Sequence, residues 1–500
     1  MILDRPVQAI KRVNFLADPS SDRPDWAGRN GNYIRNRNYY QARSYQSDLG
    51  GIEFCVCPMP RFGRTGGRET EASGAILVPE IIVDSFTLTA RWIFPVAGPS
   101  LKNGTITLRG ERIVAIEPHG MRGADLDLGD GAILPGLVNA HTHLDLSGLK
   151  GKLPPSQDFI RWIRGVVQHR RNLTPEQLAG DIQIGLAGSL KYGTTLIGDI
   201  AGQGLSWPFL ANAPLRAVVF FELLGLPTNR AEQTAREAQL WLKEHPATST
   251  CRPGLSPHAP YSVRASLFEA ACQLAQADQI PLATHLGETP EELELLKHRR
   301  GPFVDFLSEL GVWDPQGLVH TLEEVIDYGH LLSFLVIHAN YLKSNQLVQA
   351  NRKMTVVYCP RTHAAFGHPP HPFRDVLAEG GRVALGTDSL GSNPDLNVLA
   401  EARFLRRSFP GLPGDQLLRM ITLSGAEALG WDQETGSLVP GKSADLVVLP
   451  LPPKDEPDPH DLLFESDSCI SRVMWRGSWI DEHEPPSSRS RAGLKTKSAP

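Results

Sequence analysis

Through the middle of the chain, from about residue 135 to 435, short apolar runs alternate with amphipathic stretches. The apolar runs fall at residues 133–138, 195–200, 217–224, 255–257, 281–286, 332–338, 355–359 and 383–385. Each is nearly continuous rather than alternating, as expected of strands buried on both faces. Residues 157–170 carry Phe159, Ile160, Ile163 and Val167 at helical spacing, and 265–278 and 290–298 read as helices as well. Eight parallel strands with helices between them over about 300 residues is the pattern of a (β/α)8 barrel.

The flanks have a different texture. Residues 81–89, 105–109 and 112–116 are short β-rich runs separated by Gly104 and Gly110, and 444–449, 470–475 and Trp479-Ile480 repeat the pattern at the other end. A small flanking β-sandwich assembled from 80–134 and 436–482 is expected around the 135–435 barrel. Residues 1–79 are dominated by Asp, Arg, Asn, Ser and Gly, as in Arg35-Asn-Arg-Asn38. Such a segment buries too little apolar surface to offset its ordering entropy, so a disordered N-terminal extension is expected, read upstream of a true start. Residues 483–500 read as a loose tail.

Composition narrows the partners. The 500 residues carry a formal charge of -5, with no basic footprint for nucleic acid. No apolar run reaches the ~18 residues of a membrane span. Six cysteines in so long a chain do not form a disulfide framework, and Cys55-Val-Cys57 has no second pair to complete a metal site. The N-terminus lacks the layout of a secretory signal. A cytoplasmic protein with a small-molecule partner is expected; self-association into a homo-oligomer is left open.

Candidate chemistry gathers where the apolar runs end. The first leads into His141-Thr-His143, two imidazoles on one face of an extended segment and so half of a metal site. His258, His285 with Glu288 three residues on, His338 and Asp388 each follow a strand-like run directly. Any one of them alone reads equally well as a satisfied polar residue at a barrel rim. Six such placements together point to convergence at the strand ends, where this fold performs its chemistry.

The runs Pro135-Gly-Leu-Val-Asn-Ala-His-Thr-His143, His285-Leu-Gly-Glu288-Thr and Gly386-Thr-Asp-Ser389 resemble the amidohydrolase superfamily. Within it they resemble the deaminase and chlorohydrolase branch that includes S-adenosylhomocysteine/methylthioadenosine deaminases and aminofutalosine deaminases. The resemblance spans roughly residues 80 to 480. It implies one divalent metal ion, Zn or Fe, held by His141, His143, His285 and Asp388. It gives Glu288 the role of non-ligand acid/base and His338 that of a hydrogen-bonding group at the reacting centre. Three imidazoles and a carboxylate suit Zn or Fe(II), with a position left for a water whose pKa falls to about 7. Asp388 then takes the water's proton, and Glu288 protonates the substrate ring.

Two details refine the expectation. Two-metal members of the superfamily usually carry a lysine on the fourth strand, whereas Gly254-Leu-Ser-Pro-His-Ala-Pro-Tyr261 has none, which favours a single ion; His258 there resembles the substrate-contacting histidine in the Pro-His-Ser/Ala-Pro-Tyr motif of the nucleoside deaminases. The run Cys359-Pro-Arg-Thr-His-Ala-Ala-Phe-Gly-His-Pro-Pro-His371 resembles aminofutalosine deaminase-like members more than adenosylhomocysteine deaminases, and is expected to present Arg361 and His363 to the substrate pocket. Trp162 reads either as core or as a stacking face for a base. The expected activity is hydrolytic deamination of an aminated heterocycle such as the adenine moiety of a nucleoside. The rivals are loss of chloride or another group from a triazine-like ring, and a barrel retained only for binding.

Overall fold

A computed structural model describes residues 85–348 and 353–480. The eight apolar runs become eight strands paired edge to edge in chain order: β1 (Leu137–Thr142), β2 (Thr194–Gly202), β3 (Arg216–Leu223), β4 (Cys251–Pro257), β5 (Leu282–Leu286), β6 (Phe334–His338), β7 (Met354–Tyr358) and β8 (Arg382–Leu385). Every neighbouring pair is parallel. A bridge between Thr142 and Asp388 brings the last strand back to the first and closes the barrel. Gly386 makes that closure possible: a Cβ there would stand 2.8 Å from His141 Cβ and 3.0 Å from the His141 carbonyl oxygen.

Both strand faces are buried, which is why the runs lack polar alternation. Val138, Leu196, Val218, Phe220, Ala283, Leu335, Ile337, Val357 and Ala384 fill the interior together with Trp431. Their neighbours Leu137, Ile197, Val219, Val336, Val356 and Val383 belong to the outer core beneath the helices. Those helices include α1 (Phe159–Asn172), α2 (Ala265–Asp278), α3 (Pro290–His298), α4 (Pro360–Phe366) and α5 (Val398–Ser408). The Asp158 side chain caps α1 by accepting from Arg161 N at 2.9 Å, and Thr289 caps α3.

Two boundaries differ from the sequence reading. The apolar run 133–138 is shared between two sheets: Gly131–Pro135 pairs antiparallel with Leu446–Pro450, and only from Leu137 does the chain enter the barrel. Gly136 is the joint, donating its N–H to Asp445 O at 2.9 Å, with no room for a side chain against Thr195. β4 runs over seven residues rather than three. Pro253 and Gly254 disguise it, although Gly254 is there because Phe220 occupies the space its Cβ would need.

The flanking segments form a four-stranded and a six-stranded sheet around Leu88, Ile106, Ile113, Ile133, Leu446 and Met474. In the six-stranded sheet Leu446–Pro450 and Arg472–Trp475, from late in the chain, lie beside Gly131–Pro135 and Trp92–Ile93, from its first third. The buried Arg216 of β3 pairs with the buried Asp445 and lies 4.7 Å over the Trp475 ring, tying sheet to barrel. The expected extension over 1–79 and tail over 483–500 lie outside the described residues. Among the described residues no helix is long and apolar enough to cross a membrane.

Candidate active site

The strand ends converge as the sequence suggests. His141 is in β1 and His143 one residue beyond it, with ring centroids 4.9 Å apart and the planes nearly perpendicular. On β5, His285 follows the inward-facing Ala283 by two residues, so its ring enters the same space. His143 Nε2 stands 3.2 Å from His285 Nε2, and Asp388 Oδ1 stands 3.5 Å from His141 Nε2 and 3.8 Å from His143 Nε2. Two donors each about 2.1 Å from a tetrahedral ion stand about 3.4 Å apart, so these spacings fit one first-row metal ion. Both ring nitrogens of the fully buried His141 lack a hydrogen-bond partner, a costly arrangement for a protein interior unless a cation shares the site.

The electrostatics agree with that geometry. Burial, followed by the neighbouring histidines, holds His143 and His285 well below the usual imidazole range, so both present neutral lone pairs. His285 Nδ1 lies 3.0 Å from the His258 carbonyl oxygen; as the donor there it leaves Nε2 free to coordinate. Burial opposes ionisation of Asp388, but His141, His338 and Ser392 Oγ, donating at 2.6 Å, bring its carboxyl below the ordinary value. Glu288 is the opposite case. Burial first, then the charges of Asp388 and Glu292, raise it well above the carboxylate range, which favours its acid form. Its Oε1 lies 3.4 Å from His338 Nε2. Two carboxyls in one cavity are thus pushed in opposite directions, the division that acid and base work requires.

A model of the amidohydrolase family matches residues 132–480. The chain belongs to that family. A 5-methylthioadenosine/S-adenosylhomocysteine deaminase from Moorella thermoacetica is 29% identical over 418 residues, covering 78% of this chain and 90% of that protein. An aminodeoxyfutalosine deaminase from Deinococcus radiodurans is 29% identical over 374 residues, covering 69% and 85%. Among solved structures, Helicobacter pylori aminofutalosine deaminase in complex with methylthio-coformycin superposes with a TM-score of 0.70 at 24% identity, covering 79% of this chain and all of that one.

The amidohydrolase cavity opens beside the imidazole cluster and is lined by Glu288 and His338 and by apolar residues of α1. Trp162 belongs to both readings made of it. It lines the cavity with Phe159 and Ile163, yet it is buried, donates Nε1–H to Gly391 O at 3.2 Å and meets Phe366 edge-on. His258 also lines the cavity, with Nδ1 2.8 Å from Ser262 Oγ. Arg361 and His363 do not. The Arg361 guanidinium binds Glu401 Oε1 at 2.6 Å and Asp395 Oδ1 at 2.7 Å, and His363 Nε2 lies 2.9 Å from Pro369 O. Arg361 turns away because Glu401 is fully buried and needs a counter-charge.

Sequence reasoning missed several residues of the site. Glu292, in the first turn of α3, accepts from Glu288 N at 2.9 Å and Gly287 N at 3.1 Å, and burial pushes its carboxyl up to about 7. His371 Nε2 meets the His338 carbonyl oxygen at 2.6 Å. Asp145, Arg170 and Glu222 form a buried charge cluster beside His258, whereas Glu288 stands next to His338. The available signal was Glu222 itself, a lone carboxylate inside the apolar run Val218-Val-Phe-Phe-Glu-Leu-Leu224.

Proposed function

We propose that this amidohydrolase is a metal-dependent deaminase of an aminated heterocycle, the adenine moiety of a nucleoside-like molecule. The observation that carries the reading is the placement of Glu288, 3.4 Å from His338 Nε2 and in the same cavity as Asp388, with burial raising the Glu288 carboxyl while His141, His338 and Ser392 lower that of Asp388. His141, His143, His285 and Asp388 would hold a single divalent ion, zinc by its donor set of three imidazoles and one carboxylate, which would supply a water of lowered pKa. Asp388 would take one proton of that water. Glu288 donates its proton to a ring nitrogen, which makes the amine-bearing carbon electrophilic; as a carboxylate it then takes the second proton of the added water and passes it to the departing amine, and the proton held by Asp388 restores the acid. His338 hydrogen-bonds the incoming oxygen at the carbon under attack. The wall of Phe159, Trp162 and Ile163 takes the flat ring and keeps bulk water out.

The deaminase names of the relatives support the choice of leaving group, and the absence of a lysine from β4 supports one ion rather than two. The four free cysteines of the described residues are in keeping with a cytoplasmic setting. The test is ammonia release from adenosine, 5'-deoxyadenosine and 5'-methylthioadenosine by protein of measured metal content. Stoichiometric ammonia, abolished by chelation and restored by zinc, is expected. Chloride release from a chlorotriazine with no ammonia from any aminopurine sinks the proposal.

A further inference from the structure

Beside His258, in the cavity whose Glu288 stands next to His338, Arg170 of α1 is held between two carboxyl groups. Its Nη1 donates to Glu222 Oε2 at 2.8 Å, and its Nη2 lies 2.9 Å from Asp145 Oδ2. Glu222 stands at the end of β3 with its side chain only 2% exposed, yet it lines the cavity together with Arg170 and His258. Its second oxygen, Oε1, has no hydrogen-bond partner and is 3.9 Å from His258 Nε2, too far for a bond. Burying a carboxylate oxygen without a donor is unfavourable, and Arg170 already satisfies the other oxygen. A pair needed only to fasten α1 to β3 has no use for that second lone pair at a cavity wall.

The charge count points the same way. Two carboxylates face one guanidinium, and Arg170 is the sole Arg or Lys among the described residues lining this cavity. With Arg170 engaged by its two acidic partners, the cluster offers no free cation to a carboxylate or phosphate on the substrate. What it can bind is a hydrogen-bond donor.

We infer that Glu222 Oε1 accepts a hydrogen bond from a hydroxyl on the part of the substrate remote from the reacting ring, so that the site selects hydroxyl-bearing, carboxylate-free substrates. Arg170 and Asp145 are positioning residues that fix the carboxylate. The inference rests on the deaminase reading for which end of the substrate lies at Glu288, and its test is separable from that reading. Inosine and 2',3'-dideoxyinosine carry no amine to lose, so their equilibrium binding to the metal-loaded full chain is read without turnover. The wild type is expected to bind inosine roughly tenfold to hundredfold more tightly than the dideoxy compound, the range of a hydrogen bond to a charged group. Glu222→Gln should narrow that ratio to about threefold or less, since an amide is the weaker acceptor. It should also lessen the discrimination against adenosine 5'-carboxylic acid relative to adenosine. Glu222→Asp, which keeps the charge beside Arg170 but withdraws the oxygen from the cavity, should lower the inosine preference too, and serves if the Gln variant fails to fold. No preference in the wild type, or one unchanged in both variants, overturns the assignment. Failure of the deaminase reading shows separately, as absent ammonia release from every aminopurine.

Discussion

Replacing Glu288 by Gln isolates proton transfer from everything else the site does. The backbone contacts that hold this residue, Glu288 N to Glu292 at 2.9 Å and Asn340 Nδ2 to Glu288 O at 3.0 Å, do not involve its carboxyl. The carboxyl faces the His338 imidazole, whose Nε2 lies 3.4 Å from Oε1, and an isosteric amide fits the same space. Glu288 is not among the imidazole donors, so metal content should stay at the wild-type value. What disappears is the carboxyl proton, whose hold on the residue burial, Asp388 and Glu292 strengthen. Positioned proton transfer contributes about 10² to 10⁴ in rate, equivalent to about 3 to 5 kcal/mol of barrier. The expected result is therefore a fall in kcat of that size at constant metal occupancy, read by coupled ammonia detection and elemental analysis on the same sample. The pH dependence has a definite sign. A carboxyl with a raised pKa is in its acid form below that pKa, so wild-type kcat falls as pH climbs through it. The residual rate of the Gln variant should lack this alkaline limb. Undiminished kcat, or loss of the metal with the substitution, refutes the role given to Glu288.

Four further outcomes follow from the packing. His285→Ala should lose metal and activity together, with metal affinity dropping by more than the roughly ten- to hundredfold that removal of an outer partner costs; one retained equivalent after dialysis contradicts the ligand set. Arg361→Ala strands the fully buried Glu401 without its counter-charge and should cost about 3 to 5 kcal/mol in denaturant unfolding, with KM unchanged in the folded fraction. A raised KM at wild-type stability would instead return Arg361 to the substrate. Asp445→Ala leaves the buried Arg216 with only Glu434, 3.9 Å away, as a counter-charge and should destabilise by about 3 kcal/mol, seen as earlier chemical unfolding. Gly386→Ala, whose added methyl meets His141, should cost about 1 to 3 kcal/mol and also weaken metal binding, measured by chelator competition.

The parts of the fold legible in the sequence were those where one physical cause dominates. Strands buried on both faces leave continuous apolar runs, helix Ala265–Asp278 buries Leu267, Phe268, Ala271 and Ala275 at helical spacing, and Pro290–His298 opens on a Thr289 cap and a proline, so both kinds were found. The joint at Pro135-Gly136 was hidden because apolar character continues unbroken while the chain changes sheets; only tertiary contact with Thr195 and Asp445 separates the two strands. The histidines and Asp388 could be placed because an abrupt polar residue after an apolar run is a local event. Arg361 and His363 also follow such a run, at the end of β7, but direction is not a local property. Arg361 is drawn off by Glu401, some 40 positions away, and nothing in the local sequence announces that partner. The Asp145–Arg170–Glu222 cluster escaped for the same reason, since its members come from three separate segments.

Arg361 nevertheless matters to the chemistry, through Asp388. Asp388 has φ of 57° and His338 φ of 67°, left-handed backbone that costs a side chain-bearing residue roughly 1 to 2 kcal/mol. Such conformations persist only where surrounding bonds impose them. At His338 the bond is His371 Nε2 to the carbonyl oxygen. At Asp388 it is a chain of contacts: the N–H groups of Thr387 and Asp388 both reach His141 O at 3.1 Å, and Ser392 holds the carboxylate. Asn393 Nδ2 joins Thr387 O to Glu401, and Arg361 neutralises Glu401. A buried ion pair is a poor source of net stability, since desolvation cancels most of its attraction. Its value here lies in direction. The pair fixes the loop that turns Asp388 toward His141, and so sets the separation between carboxylate and imidazoles on which any ion in this barrel depends.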